Sequence, residues 1–171
     1  MIMDNPILYD RIWFEIYDAK LKEVYLSHFL AKRSRVRNIL DIIIVLVSVT
    51  GAASYSFCPV VTFLSAIITA ALSIVACCVP AVVPREEDLS AISKVVSFYT
   101  EYVSSLERLY AHLYSGTVSP ESAEAEFYRF HSSVTGVEAS VNRFLHRNRR
   151  RIEAEAVAEA DRYVNNVFKS I

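Results

Sequence analysis

The chain has 171 residues, 53% of them apolar, with only three glycines and a formal net charge of -1. That length suits one ordinary domain plus a small extra element, and the composition excludes a disordered or low-complexity chain. The balanced charge gives no global pull toward nucleic acid, but its distribution is uneven: charges crowd into 1–41 and 85–171 and vanish from Ile42 to Pro84.

The first predicted element is an amphipathic helix over Ile7–Lys32, inside a leading segment taken as 1–37. Ile12, Ile16, Ala19, Leu26 and Leu30 mark one side, and Phe14, Tyr17, Leu21 and Val24 broaden it. No Gly or Pro separates it from the apolar run, so one long helix can carry both. The segment before Ile39 is acidic and aromatic, unlike a cleavable signal peptide. The apolar run would be its own, retained, targeting signal.

The charge-free run covers 43 positions. As a helix it would extend roughly 65 Å, about twice a hydrocarbon core of roughly 30 Å. Two spans therefore fit better than one. They are placed at Asn38–Tyr55 and Pro59–Val83, within a hairpin taken as 38–84. Gly51, Ala52, Ala53, Ser54 and Pro59 are expected to supply the turn, with Pro59 at the first position of the second helix. Tyr55 and Phe57 suit an interfacial loop. The competing reading is a hairpin buried inside a soluble bundle, against which the length of the run argues.

The flanks set an orientation. Lys32, Arg33, Arg35 and Arg37 precede the first span, Arg85 follows the second, and the turn has no Lys or Arg. Both termini are expected in the cytoplasm, in a multi-pass protein of the inner (plasma) membrane. Asp41 would sit at the cytoplasmic mouth rather than at depth.

The second span has a patterned face: Thr62, Ser65, Ala66, Thr69, Ser73, Ala76 and Cys77 recur at intervals of three and four. Such a stripe of small and hydroxyl residues suits a tight helix–helix seam, or the weakly polar lining of an oligomeric pore. Phe63, Ile67, Ile68, Ile74 and Val75 point elsewhere. The first span is apolar around most of its length, as a lipid-facing helix would be.

The segment 85–171 is expected to be a cytoplasmic helical region. Glu86, Glu87 and Asp88 gather at a helix start. Leu89, Ile92, Val96, Tyr99, Val103, Leu106, Tyr110 and Leu113 then form a three-four seam that Gly116 ends. Ser119 caps the next helix and Pro120 opens it. The seam resumes with Phe127, Phe130, Val134, Val137, Val141 and Phe144. The short connection implies an antiparallel pair. Helical sequence continues through Ile152, Ala156 and Val157 toward Val167. The seams either join subunits of a homo-oligomer or close within one chain.

Catalytic chemistry is not legible. His28, His112, His131 and His146 show no metal-binding spacing, and Cys58, Cys77 and Cys78 show neither a CxxC nor a disulfide framework. Glu121, Glu124 and Glu126, like Glu153, Glu155 and Glu159, read as solvated faces. No phosphate-cradling glycine loop or nucleophile elbow is present in the sequence. No catalytic residue, cofactor or metal is expected, and the chain does not read as an enzyme. Arg147, Arg149, Arg150 and Arg151 form the densest basic run. It could meet anionic lipid, a nucleotide or nucleic acid, but the following Glu153 and Glu155 favour ion pairs along the helix.

The layout resembles the SLATT family, small bacterial two-span effectors. The features that carry this are the aromatic leading helix (Trp13, Phe14, Tyr17, Tyr25), the basic approach Lys32-Arg33-Ser34-Arg35-Val36-Arg37-Asn38, the short turn, and a helical tail with Tyr99, Tyr102 and Tyr110. The match is one of architecture over nearly the whole chain, without an invariant motif. It implies an all-α membrane protein, with a two-helix transmembrane hairpin and a cytoplasmic helical bundle or coiled-coil region. It further implies an oligomeric effector that permeabilises the membrane in anti-phage defence by cell suicide. The bilayer, further copies of the chain and a sensor or regulatory protein are the expected partners. The rival reading is a non-conducting, membrane-anchored helical scaffold that binds another protein.

Overall fold

A computed structural model describes residues 6–54, 63–64, 66–71, 73–74, 86–145 and 150–169, apart from the side chains of 47–48, 50–54, 86, 138–145 and 168–169. Among the described residues the fold is all-α, without strands. Four helices follow in order: α1 (Pro6–Ser54), α2 (Glu86–Tyr114), α3 (Pro120–Leu145) and α4 (Arg150–Lys169). The described residues between 63 and 74 are helical as well.

Local chemistry explains the α2–α3 connection. Gly116 takes a φ of 69°, a left-handed conformation that costs a glycine little. This lets the Thr117 N–H reach the His112 carbonyl at 2.9 Å and the Gly116 N–H reach that of Leu113 at 3.1 Å. Both carbonyls would otherwise be orphans of the helix end. Pro120 then opens α3, and the Ser119 hydroxyl accepts from the Ser122 N–H at 3.3 Å. Gly116, Ser119 and Pro120 thus act as the sequence suggests.

The expected turn at Gly51 needs correction. Helix α1 runs through Gly51, Ala52 and Ala53 to Ser54. A single glycine costs a helix only about 1 kcal/mol relative to alanine, and the two alanines beside it are the best helix formers. Pro59, the last expected turn residue, and the expected interfacial Tyr55 and Phe57 lie outside the described residues.

The chain divides into two compact units, Met1–Phe29 with Ala91–Ile171, and Leu30–Ser90. In the first unit α1 touches three other helices. Tyr9 reaches Leu113 on α2, and Glu15 reaches Tyr102, so those helices are antiparallel. Arg11 meets Tyr128 and Glu15 meets His131, so α1 and α3 run parallel. Lys20 lies over Tyr163 and His28 beside Glu159, so α4 is antiparallel to α1. This is the up-down-up-down order that short connections favour.

The core of this unit follows the helical period. From α1 it takes Leu8, Ile12, Ile16, Ala19 and Leu26; from α2 Ile92, Tyr99, Val103, Leu106 and Leu113. Ala123, Phe127 and Val134 come from α3, and Ile152, Ala156, Ala160 and Val164 from α4. Buried alanines let backbones approach, and each large buried aliphatic contributes about 1.5–3 kcal/mol. Phe14 departs from the expected pattern: it is 63% exposed, while Tyr25 and Phe29 are buried instead.

The second unit is different. Among its described residues most large aliphatics are exposed and none is fully buried; Leu30, Leu40, Ile44 and Leu89 are half-buried. No helix among the described residues is long and apolar enough to cross a membrane. Most of the proposed second span, and several side chains of the first, lie outside the described set.

Candidate functional site

The feature that sets this protein apart is the surface of the second unit. The exposed large hydrophobics, apart from Ile7, Phe14, Tyr114 and Tyr128, all lie between Val36 and Ile74. On α1 they are Val36, Ile39, Ile42, Ile43, Val45, Leu46 and Val49; Val45 and Val49 are 61% and 63% exposed. At about 100° per residue they share one broad arc. Ile44, on the opposite side, is half-buried.

The helical residues from 63 to 74 repeat the arrangement. Phe63, Leu64, Ile67, Ile68 and Ile74 cover one arc and are exposed. Ala66, Thr69 and Ser73 fall on the other, and Thr69 alone among the described residues of this stretch is half-buried. The Ser73 hydroxyl donates to the Thr69 carbonyl at 2.8 Å. That bond satisfies the hydroxyl inside its own helix. Thr62, Ser65, Ala76 and Cys77 of the same expected face lie outside the described residues.

Charge in this unit sits at its two ends, within 32–41 and 85–88. Lys32 and Arg35 are exposed, and Arg37 Nε stands 3.9 Å from an Asp41 carboxylate oxygen one turn on. Arg33 is buried, at 6% exposure. The basic approach is therefore not a uniformly solvated row.

The seam residues of α2 and α3 sit inside one chain. Ile92, Tyr99, Val103, Leu106, Leu113, Phe127 and Val134 are buried, and Leu89, Val96, Tyr110, Phe130 and Val137 are half-buried. The side chains of Val141 and Phe144 lie outside the described residues. The seven buried positions pack within the chain.

A network of carboxylates and hydroxyls ties the first unit together, and the sequence reading missed it. Glu15 accepts from the Tyr102 hydroxyl at 2.8 Å and lies 3.3 Å from His131 Nδ1, joining three helices. The Tyr163 hydroxyl donates to Glu107 at 2.6 Å, and Glu23 takes both Lys20 and the Thr100 hydroxyl. Burial, then the neighbouring carboxylate, pushes the Tyr102 and Tyr163 hydroxyls well above the ordinary tyrosine range. The signal was acids set beside the apolar stripe of α1, but their partners are distant in sequence.

The remaining candidates are dispersed. Arg151 pairs with Glu155 at 3.1 Å along α4, and Arg150 is exposed; Arg147 and Arg149 lie outside the described residues. His28 bridges to Glu159 at 3.0 Å, and His131 stacks on Phe127. His146, Cys58, Cys77 and Cys78 lie outside the described residues. Among the described residues no group of His, Cys, Asp and Glu could hold a metal ion. No family model, curated protein or solved structure matches the chain.

Proposed function

We propose that this protein is an integral-membrane effector, with residues 38–84 in the bilayer, that permeabilises the membrane when triggered. One observation carries the membrane part. Eleven large hydrophobics between Ile39 and Ile74 are exposed among the described residues, and the chain holds no charge from Ile42 to Pro84. A water-facing monomer rarely keeps such a patch, because each of these side chains gains about 1.5–3 kcal/mol on leaving water. Lipid removes that penalty along both helical stretches at once.

The effector part rests on the small and hydroxyl face around Thr69 and on the resemblance to SLATT proteins. Subunits would meet along that face, and the Lys32–Arg37 cations would hold their end of the hairpin in the cytoplasm. The proposed work is mechanical: a change in the four-helix unit rearranges the spans. A dye-release assay with protein in liposomes tests this. Release is expected from the native chain and not from Thr69→Leu/Ser73→Leu. Equal release from both would overturn the pore.

A second reading has its own support. Seam residues packed within the chain and a Ser73 hydroxyl satisfied within its own helix both suit an anchored scaffold that does not conduct. Replacing residues 38–84 with an unrelated two-span anchor separates the readings. The scaffold keeps its function after that exchange; the effector loses it.

A further inference from the structure

A groove on the first unit, away from the carboxylate network, has a composition that the bundle does not need. Its cavity of about 430 Å³ is lined by Pro6, Tyr9, Asp10, Trp13, Phe14 and Tyr110. That volume is in the range of small-molecule sites, about 300–1,000 Å³. Four of the six lining residues are aromatic, and the only charge among them is a carboxylate.

The rings are held in place. The Tyr9 hydroxyl donates to the Leu113 carbonyl at 3.0 Å, and Tyr9 meets Tyr110 edge-to-face at 5.6 Å. Trp13 meets Phe14 edge-to-face at 5.0 Å and stacks on Tyr17 at 6.0 Å, with their planes 9° apart. Tyr110 is kept neutral, its hydroxyl raised above the ordinary range first by burial and also by the charges of neighbouring groups, Asp10 among them. Ring faces carry negative quadrupole potential and attract cations, most strongly cations too weakly hydrated to prefer water.

Asp10 completes the set. It is exposed. Its sequence neighbour Arg11 is turned to α3 instead, donating to the Tyr128 hydroxyl at 2.8 Å with its guanidinium 5.4 Å from that ring's centre. The described lining therefore holds four aromatic rings and one carboxylate, with no Lys or Arg among those residues. Among the described lining residues an anion finds no cationic partner, and a metal ion finds one carboxylate and no other strong ligand. An alkylated ammonium fits: too bulky and apolar for tight hydration, yet fully charged.

We infer that the Tyr9–Asp10–Trp13–Phe14–Tyr110 groove is a binding site for a small organic cation of the quaternary- or alkyl-ammonium class. The rings contact the alkyl groups, and Asp10 neutralises the charge. The site is independent of the membrane reading, because every residue in it belongs to the four-helix unit.

Trp13 is the only tryptophan in the chain, so its fluorescence reports on the site directly. The full chain in a maltoside detergent, whose headgroup carries no ammonium, is titrated with choline at constant ionic strength. A parallel titration uses choline's uncharged carbon isostere, in which a tert-butyl group replaces the trimethylammonium. A saturable change is expected with choline, half-complete on the order of a millimolar, and not with the isostere. Asp10→Asn, an exposed position outside the core, is expected to weaken choline binding on the order of tenfold. Arg11→Ala is expected to leave it unchanged. A shift in phosphatidylcholine nanodiscs without added choline, absent from phosphatidylglycerol ones, supports the ammonium site and identifies a lipid headgroup as its source. No saturable change with choline or with either nanodisc would overturn the inference. So would an equal response to the isostere, or choline binding unaltered by Asp10→Asn.

Discussion

Leu106→Ala probes how the first unit is held together. Leu106 is fully buried, and Val103 and Leu109, also buried, flank it on α2. Its removal deletes apolar contact and leaves a cavity. Leu→Ala changes in cores cost about 2–5 kcal/mol, the higher values where neighbours cannot collapse into the space. Here nearby turns of α2 carry Tyr99 and Tyr102, large rings of which Tyr102 is tied by its bond to Glu15. Those rings resist collapse, so about 3–4 kcal/mol is expected. Denaturation of the purified protein in detergent, followed by circular dichroism, measures this. Because Leu106 packs within one chain, the midpoint is expected to be the same at widely different protein concentrations. A loss below about 1 kcal/mol, or a midpoint that rises with protein concentration, would refute the intrachain seam.

Three further outcomes follow from local chemistry. Gly136→Ala is expected to stabilise α3 by about 1 kcal/mol, because an added Cβ meets nothing within 4 Å, and a midpoint shift in denaturation would show it. Ser119→Ala removes the cap on Ser122 N–H and is expected to cost about 1 kcal/mol in the same measurement. Tyr102 and Tyr163 have raised hydroxyl pKa values in the folded state, so folding favours their neutral forms. Their contribution is complete below about pH 10, the unfolded tyrosine value, and is lost as pH rises beyond it, by at most about 1.4 kcal/mol per pH unit for each. Stability measured against pH is expected to be flat on approach to pH 10 from below and to fall above it, less steeply in Tyr102→Phe.

What could be read from the sequence was what is local. Gly116, Ser119 and Pro120 carry their turn chemistry in a few residues, and the end of α2 and the start of α3 follow from them. The three-four spacing from Ile92 to Leu113 marks a buried stripe whatever covers it. It could not say what covers it, because one heptad pattern serves a partner helix of the same chain or of another. The passage of α1 through Gly51 illustrates the opposite error, a breaker residue given more weight than its roughly 1 kcal/mol warrants. Glu15 shows the limit most clearly. Its partners Tyr102 and His131 lie far along the chain, and only the folded arrangement of α1, α2 and α3 brings them to one carboxylate. The groove at Asp10 was hidden for the same reason: Trp13 and Phe14 are conspicuous in sequence, but Tyr110 joins them only across the α1–α2 contact.

The placement of residues 38–84 in lipid can be tested one position at a time. In a Trp13→Phe background, Val45→Trp and Ile67→Trp each put a single tryptophan where the structure exposes an aliphatic side chain. The variants are reconstituted in vesicles whose acyl chains carry bromine, which quenches on contact. Blue-shifted emission, strongly quenched by the brominated chains at both positions, is expected. Emission like that of a water-exposed tryptophan, unchanged by bromine, would contradict the membrane reading.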